Sequence, residues 1–386
     1  MRVEDWQNSG FGIYVHWPFC ASKCPYCDFN SHVVAHVDQE AWREALVAEL
    51  EATARLTGPR PVRSVFFGGG TPSLMPVETV AAGLDTIATQ WHATNDMEVT
   101  LEANPSSTDA TRFAGYRAAG VNRLSLGVQA LDDASLKKLG RLHSAAEARQ
   151  AIEIAQSLFT RASFDLIYAR QEQTLEDWQR ELSEALDLAM GHLSLYQLTI
   201  EEGTAFGDRF AAGGLTGLPS EDLAADLYQA TQDLCSAAGY PAYEISNHAQ
   251  DGAASRHNLI YWTGGDYAGV GPGAHGRLTL EGQRRATACV KAPQSWLKKV
   301  TEDGLGWEDT HALSGQDQAL EYLMMGLRIS SGIQLDRYNA LASEPLPKAA
   351  LDWLEGERFV ERGDGTLRLT PKGQPVLNAV LRSLIG

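Results

Sequence analysis

Six short apolar runs alternating with helical stretches constrain this chain more than any other feature. The runs Gly12–His16, Val62–Phe67, Met97–Glu102, Arg123–Val128, Ser163–Ile167 and His192–Ile200 are five to nine residues long. They are rich in Val, Ile, Leu, Phe and Tyr, which suit a pleated, buried strand. Between them, Gln39–Leu56, Pro76–Gln90, Ser107–Ala119, Ser144–Leu158 and Leu175–Leu188 read as helices. Repeated strand–helix units imply parallel strands joined by right-handed crossovers. Six units exceed one mononucleotide-binding half and fall short of a closed eight-fold barrel. The expected fold class is therefore α/β: an open, partial TIM-like barrel of about six β/α units, with a large doubly wound sheet as the alternative. Either gathers its chemistry at the C-terminal ends of the strands.

The pattern divides the chain into residues 1–204, the partial barrel; 205–310, an extension; and 311–386, a smaller C-terminal unit. Within the extension, the Gly- and Ala-rich Thr204–Ser220 reads as a loop or lid and Tyr240–Ser246 as a further strand. Asn247–Gly276, dense in Gly, His and aromatics, reads as a binding segment rather than a packed element. In the last unit, Asp317–Ile329 places Leu320, Leu323, Met324 and Leu327 at helical spacing, and Ala349–Val360 is a second helix. Asp364-Gly365 then signals a hairpin turn, and a helix follows from Pro375. Helix, helix, hairpin, helix is a winged-helix-like α+β arrangement. With 8 basic and 9 acidic residues over 317–386, it reads as a packing or docking domain.

The formal charge of −17 argues against a nucleic-acid partner, because an acidic surface repels phosphate backbones. No stretch reaches the roughly 18 apolar residues that span a bilayer. Met1–Gly10 lacks the apolar core of a secretory signal, so the expected location is the cytoplasm. An odd number of cysteines, five, then argues against a disulfide framework.

Three of those cysteines, Cys20, Cys24 and Cys27, lie in C-x3-C-x2-C spacing just after the first run. Pro18 and Pro25 disfavour a regular helix there, so the loop wraps around something. Three thiolates can hold three irons of a [4Fe–4S] cube and leave the fourth open to a small molecule. The plainer alternative is a structural zinc with His16 or His32 as fourth ligand. Downstream, Ser64-Val-Phe-Phe-Gly-Gly-Gly-Thr-Pro-Ser73 carries no Gly-Lys-Ser/Thr and is not a Walker loop. Its missing side chains let backbone groups approach a polar ligand.

The cysteine spacing and the glycine run together resemble the radical S-adenosylmethionine (SAM) superfamily. The resemblance implies a [4Fe–4S] cluster on Cys20, Cys24 and Cys27, with the methionine end of SAM received at Gly69, Gly70 and Thr71. Further residues match the branch that contains oxygen-independent coproporphyrinogen III oxidase: Glu102 in Leu-Glu-Ala-Asn-Pro, Gln129 in Leu-Gly-Val-Gln, Arg141 in Gly-Arg-Leu-His and Asp165 in Phe-Asp-Leu-Ile-Tyr. In that branch these positions contact the amino-acid part or ribose of SAM, and carboxylates and an arginine suit such partners. Tyr14, six residues before Cys20, also matches a position near SAM, and Tyr26 lies between the last two cysteines.

Within this branch the chain resembles the HemW family of haem chaperones more than the oxidases. The oxidases carry another cysteine where this chain has Phe29, and a longer segment before the cluster than the 19 residues here. Arg256-His257-Asn258-Leu-Ile-Tyr261-Trp262 matches the H-N-x-x-Y-W motif tied to haem in that family. His257 can serve as an axial ligand, Asn258 belongs to the same motif, and Tyr261 with Trp262 can offer a flat apolar surface. The glycine-rich segment up to His275 can let backbone approach the porphyrin or SAM, and His275 is a second candidate ligand. The resemblance implies binding of a [4Fe–4S] cluster, SAM and haem, with haem passed to apo-haemoproteins that include membrane-associated respiratory enzymes, and a homodimer as one state of the protein. The alternative is oxidative decarboxylation of coproporphyrinogen III. The chain departs from the family at Ala169-Arg-Gln-Glu172, where Gly-Leu-Pro-Gly is usual, and at Glu201-Glu-Gly-Thr, where Glu-Pro-Gly-Thr is usual. Losing Gly and Pro changes the backbone freedom of strand-end loops beside the SAM position.

Overall fold

A computed structural model describes residues 5–107 and 109–385. Thr108, inside the helix expected over Ser107–Ala119, and the first four residues of the Met1–Gly10 stretch lie outside the described residues. All six expected strands form: β1 (Phe11–Trp17), β2 (Pro61–Gly69), β3 (His92–Ala103), β4 (Arg123–Gln129), β5 (Arg161–Tyr168) and β6 (Gly191–Gln197). They lie side by side in chain order, each parallel to the next. Unbroken sequential order is barrel winding, whereas a doubly wound sheet reverses its order at a switch point. The partial-barrel expectation therefore holds, and the doubly wound alternative does not.

The connecting helices run over Gln39–Thr57, Val77–Gln90, Ala110–Ala118, Ala145–Leu158 and Leu175–Leu188. Asp38, Asp109, Ser144 and Thr174 cap four of them by accepting an N–H of the first turn. Along the strands, successive side chains face opposite sides. Val99, Leu101, Leu124, Leu126, Phe164, Leu166, Leu193 and Leu195 face the helices and are buried in the main core. The alternate positions Glu102, Arg123, Ser125, Ser163, Asp165, His192 and Ser194 line a polar interior.

Residues 205–310 extend the same sheet. β7 (Asn247–Ala249) pairs antiparallel with β6, and β8 (Asp266–Val270) pairs parallel with the free edge of β1. β9 (His275–Leu280), β10 (Gln283–Cys289) and β11 (Trp307–Ala312) continue antiparallel from β8 and complete eleven strands. Three expectations for this region are corrected. Tyr240–Ser246 forms bends rather than a strand, and pairing begins at Asn247. Thr204–Ser220 opens with a helix, Ala205–Ala211, capped by Thr204. Asn247–Gly276 is a packed part of the sheet, because the β1 edge demands a partner and the glycines permit close contact. A Cβ on Gly273 would sit 2.5 Å from the Asn30 amide, and one on Gly271 would strike the His16 carbonyl. These glycines serve internal packing.

The C-terminal unit has its own core of Leu323, Leu327, Ile333, Leu354, Leu367 and Val380. It combines helices at Gly315–Gly326, Leu335–Leu341, Lys348–Gly356 and Leu377–Ile385 with a small sheet of β12 (Ile333–Gln334), β13 (Val360–Gly363) and β14 (Thr366–Leu369). Asp364 and Gly365, both at positive φ, make the expected hairpin turn. Met324, placed on the apolar face from sequence, is instead exposed. Arg337 to Asp5 (2.8 Å) and Arg277 to Glu321 (2.7 Å) tie the unit to the barrel.

Candidate cofactor site and barrel cavity

The loop after β1 carries the three cysteines, all free and half-buried. It is pinned by the Cys20 N–H bonded to the His32 carbonyl at 2.9 Å and by Asn30, whose amide donates to the Pro272 and Lys291 carbonyls. Two sulfurs receive donors from neighbouring strand ends. The Thr71 hydroxyl lies 3.4 Å from Cys20 Sγ, and Arg141 Nη1 lies 3.2 Å from Cys24 Sγ. Burial pushes the Cys20 and Cys27 thiols up, so holding them as thiolates requires added positive charge. Arg141 Nε is buried and unpartnered, although Nη2 donates to the Gly127 carbonyl at 2.7 Å. Tyr26 hydrogen-bonds the same guanidinium and packs near Phe206.

These donors suit a metal-bound set of thiolates, and the two histidines that could complete a zinc site are engaged elsewhere. His16 is fully used, with Nδ1 3.0 Å from the Tyr14 hydroxyl and Nε2 3.0 Å from the Asn30 carbonyl. His32 Nε2 is spent on the Asn30 amide oxygen.

Gly69 and Gly70 leave β2 against the cysteine loop. Gly69 has φ +111°, and a Cβ there would lie 2.5 Å from the His16 ring; one on Gly70 would lie 2.8 Å from the Phe19 carbonyl. The Gly69 N–H donates to Glu102 Oε2 at 3.2 Å. Burial, with the Asp165 charge second, pushes Glu102 up to about 8. Burial likewise pushes Asp165 up to about 6, against the Ser194 hydrogen bond and the charges of Arg123 and Arg141. Gln129 ends β4 at φ +74°, a strained conformation for a side chain this size. Thus Gly69, Gly70, Thr71, Glu102, Gln129, Arg141 and Asp165 all stand at or near the C-terminal ends of β2 to β5.

The His257 motif lies at the other end. Its helix, Arg256–Trp262, plugs the N-terminal end of the barrel, so the expectation of one chemical face covers only part of the candidate site. Ser255 caps the helix, and the Arg256 N–H donates to Glu98 at 2.9 Å. His257 is 1% exposed. Its Nδ1 lies 2.8 Å from the Ser64 hydroxyl, its Nε2 2.5 Å from the Tyr261 hydroxyl, and its ring stacks on Phe66. Burial pushes it down to about 3, so it is neutral, with both ring nitrogens taken. Tyr261 and Trp262 do not form one flat surface. Adjacent helix positions point about 100° apart, so Tyr261 faces the barrel while Trp262 lies under Arg328 of the C-terminal unit. His275 is exposed at the start of β9, near the cysteine loop rather than near His257.

Between the two ends runs a cavity of about 210 Å³. Tyr14, Glu102, Asp165, His257, Asn258 and Tyr261 line it, so the structure joins residues expected for SAM with residues expected for haem. Arg123, Ser125, Ser163, His192, Ser194 and Asn247 also line it and were missed. Their signal was present: polar residues two apart inside otherwise apolar strands mark an inward polar face.

A radical SAM superfamily profile matches residues 14–185, and a HemN C-terminal domain profile matches residues 313–376. The heme chaperone HemW of Escherichia coli is 34% identical over 375 residues, covering 96% of each chain. The chain belongs to the HemW family of the radical SAM superfamily. Mitochondrial radical S-adenosyl methionine domain-containing protein 1 of Bos taurus is 46% identical over 326 residues, covering 83% of this chain and 74% of the bovine protein. The structure of Escherichia coli coproporphyrinogen III oxidase, HemN, superposes with a TM-score of 0.80 at 21% identity, covering 97% of this chain and 89% of that one. At that identity the likeness carries the fold alone. Among the described residues, no helix is long and apolar enough to cross a membrane.

Proposed function

We propose that this chain is a haem chaperone that binds a [4Fe–4S] cluster and SAM at the C-terminal end of its barrel and hands haem to apo-haemoproteins. The observation that carries the reading is the pair of donors, Thr71 and Arg141, aimed at two of three free thiols beside a glycine turn too tight for side chains. Relatives at 34–36% identity over nearly their whole length bear the name heme chaperone HemW. Cys20, Cys24 and Cys27 would hold the cluster, which when bound supplies an open iron to the amino-acid end of SAM. Gly69, Gly70 and Thr71 offer backbone groups at that end. Glu102 and Asp165 face its ammonium and ribose hydroxyls, Arg141 its carboxylate, and Gln129, Tyr14 and Tyr26 wall the position. The oxidase alternative has less support, since its structural likeness lies at 21% identity.

Haem belongs to the barrel's other end in this reading, where His257 and Asn258 sit. Iron reaches His257 Nε2 only when Tyr261 releases its hydrogen bond, so haem binding opens the plug helix. Trp262, on the outer side of that helix, would then cover a haem face. The clients are apo-haemoproteins, including respiratory enzymes at membranes, and the working location is the cytoplasm. The test is an anaerobic haem titration of the cluster-reconstituted protein, with His257→Ala in parallel. A saturable Soret shift near one haem per chain, altered in the variant, supports the reading and the ligand. Absence of saturable binding removes it, and formation of protoporphyrinogen IX from coproporphyrinogen III replaces it with the oxidase.

A further inference from the structure

Two arginines stand side by side on the barrel floor and are treated differently by the fold. Arg123 begins β4 and Arg161 begins β5, directly opposite each other in register. Arg161 is paired with Glu98 at 2.8 Å, and Arg256 on the plug helix is paired with Asp96 at 2.7 Å. Arg123 is 2% exposed and lines the cavity. Its backbone belongs to the sheet, but among the described residues no group makes a hydrogen bond or ion pair with its guanidinium. A buried, unpaired guanidinium costs several kcal/mol of desolvation, and evolution rarely leaves such a charge uncompensated unless something binds it.

Its surroundings are donors and neutral groups. Ser125 and Ser163 share a hydrogen bond of 3.1 Å beside it. His192, 2% exposed, donates or accepts through Nε2 with the Tyr243 hydroxyl and leaves Nδ1 unpartnered. Asn247, 5% exposed, gives its amide N–H to Glu244 and leaves Oδ1 unpartnered. The Arg123 charge favours the ionised forms of Asp165 and Tyr243, but it makes an ion pair with neither.

We propose that the floor of the barrel cavity is a carboxylate-binding subsite in which Arg123 is the cation, with Ser125, Ser163 and His192 completing the hydrogen bonds. The ligand is a molecule that presents a free carboxylate to a planar guanidinium, which receives it through two parallel N–H donors. The carboxylate is that of a small organic acid or a propionate arm of a porphyrin. The subsite is distinct from the cysteine loop and stands whether or not haem is the protein's cargo.

Isothermal titration of the cluster-reconstituted full chain with succinate, and with succinamide as its uncharged counterpart, tests this. Saturable binding of succinate alone is expected, weakened at least tenfold in Arg123→Met and less in Arg123→Lys, with SAM affinity unchanged in both. Binding of the diamide, or equal succinate binding in all three proteins, overturns it. Loss of SAM affinity together with succinate binding also overturns it, because Arg123 would then belong to the SAM position. Should Arg123→Met fail to fold, Arg123→Lys decides, since it keeps the charge and loses the fork. Haem and its dimethyl ester then separate the two ligand sources. Competition between succinate and haem, but not the ester, assigns a propionate; absence of competition assigns a small acid.

Discussion

The two ends of the barrel are built on opposite terms. At the C-terminal end, thiols stand free, Arg141 Nε has no partner, and glycines hold space open. At the N-terminal end, His257 is sealed between Phe66, Ser64 and Tyr261 with every polar atom of its ring spoken for. The C-terminal end is arranged to receive something; at the other end the plug helix is closed over His257 and must be opened to reach its ring. Substituting the cysteines of the receiving end should therefore remove ligands with little cost in stability, and substituting His257 at the sealed end should cost stability as well.

The largest effect tests the first half of that statement. Cys20→Ala, Cys24→Ala or Cys27→Ala should each abolish most of the iron and visible absorbance retained after anaerobic reconstitution. The far-ultraviolet circular dichroism should stay unchanged, because the thiols contribute only weak sulfur hydrogen bonds to the fold. Unfolding of these variants before reconstitution would show that the loop is structural and break the contrast.

His257→Ala tests the second half. It removes a stacked, buried ring and strands the hydroxyls of Ser64 and Tyr261, so a loss of about 2–4 kcal/mol is expected. The midpoint of urea unfolding measures it. A stability equal to the parent would mean that the plug helix is loosely held, and haem would then have easy access to the position.

How much of this contrast could be read beforehand follows from how each end is encoded. The receiving end was legible because its residues sit in local strings, such as Cys20 to Cys27 or Gly68 to Thr71, that carry the resemblance to the radical SAM superfamily. The six strands and five helices were legible because their periods are local. The floor was not. His257 was visible as a motif, but its contacts with Ser64 and Phe66 join residues far apart in the chain, and no local period reports them. Arg123 and His192 looked like polar ends of apolar runs. Only the register of β4, β5 and β6 shows that they face one cavity. The winged-helix-like unit was legible down to its Asp364-Gly365 turn, while Met324 was misplaced because helical spacing alone does not say how wide the buried stripe is.

The electrostatics of the receiving end give a third, smaller effect. Glu102 is held protonated up to about pH 8 by burial and by Asp165. A ligand ammonium beside it favours the carboxylate, so binding must expel a proton below that pH. SAM affinity should therefore rise with pH between about 6 and 8, by at most about tenfold per unit, and level off above. Glu102→Gln should flatten the profile and lower the affinity reached at the alkaline end. A flat profile in the parent protein would place the ammonium elsewhere and leave Glu102 as a partner of the Gly69 N–H alone.

The smallest effect concerns the departure at Ala169–Glu172. Both ends of this segment, where the family resemblance leads one to expect glycine, have a left-handed backbone, with φ +58° at Ala169 and +59° at Glu172. An L side chain in that region costs roughly 1–2 kcal/mol. The loop is held regardless, because Arg170 is clamped on Glu181 at 2.5 Å and the Glu172 N–H bonds the Gly217 carbonyl at 2.6 Å. Ala169→Gly relieves the strain and adds about 0.4–1 kcal/mol of unfolded-chain entropy. The net should be a gain of up to about 1 kcal/mol. Glu172→Gly relieves the same strain but also breaks the exposed pair with Lys138, a small loss. It should therefore gain less than Ala169→Gly. The reverse order in thermal unfolding would show that the Lys138 pair contributes nothing and that the Ala169 methyl, buried in the main core, matters more than its backbone.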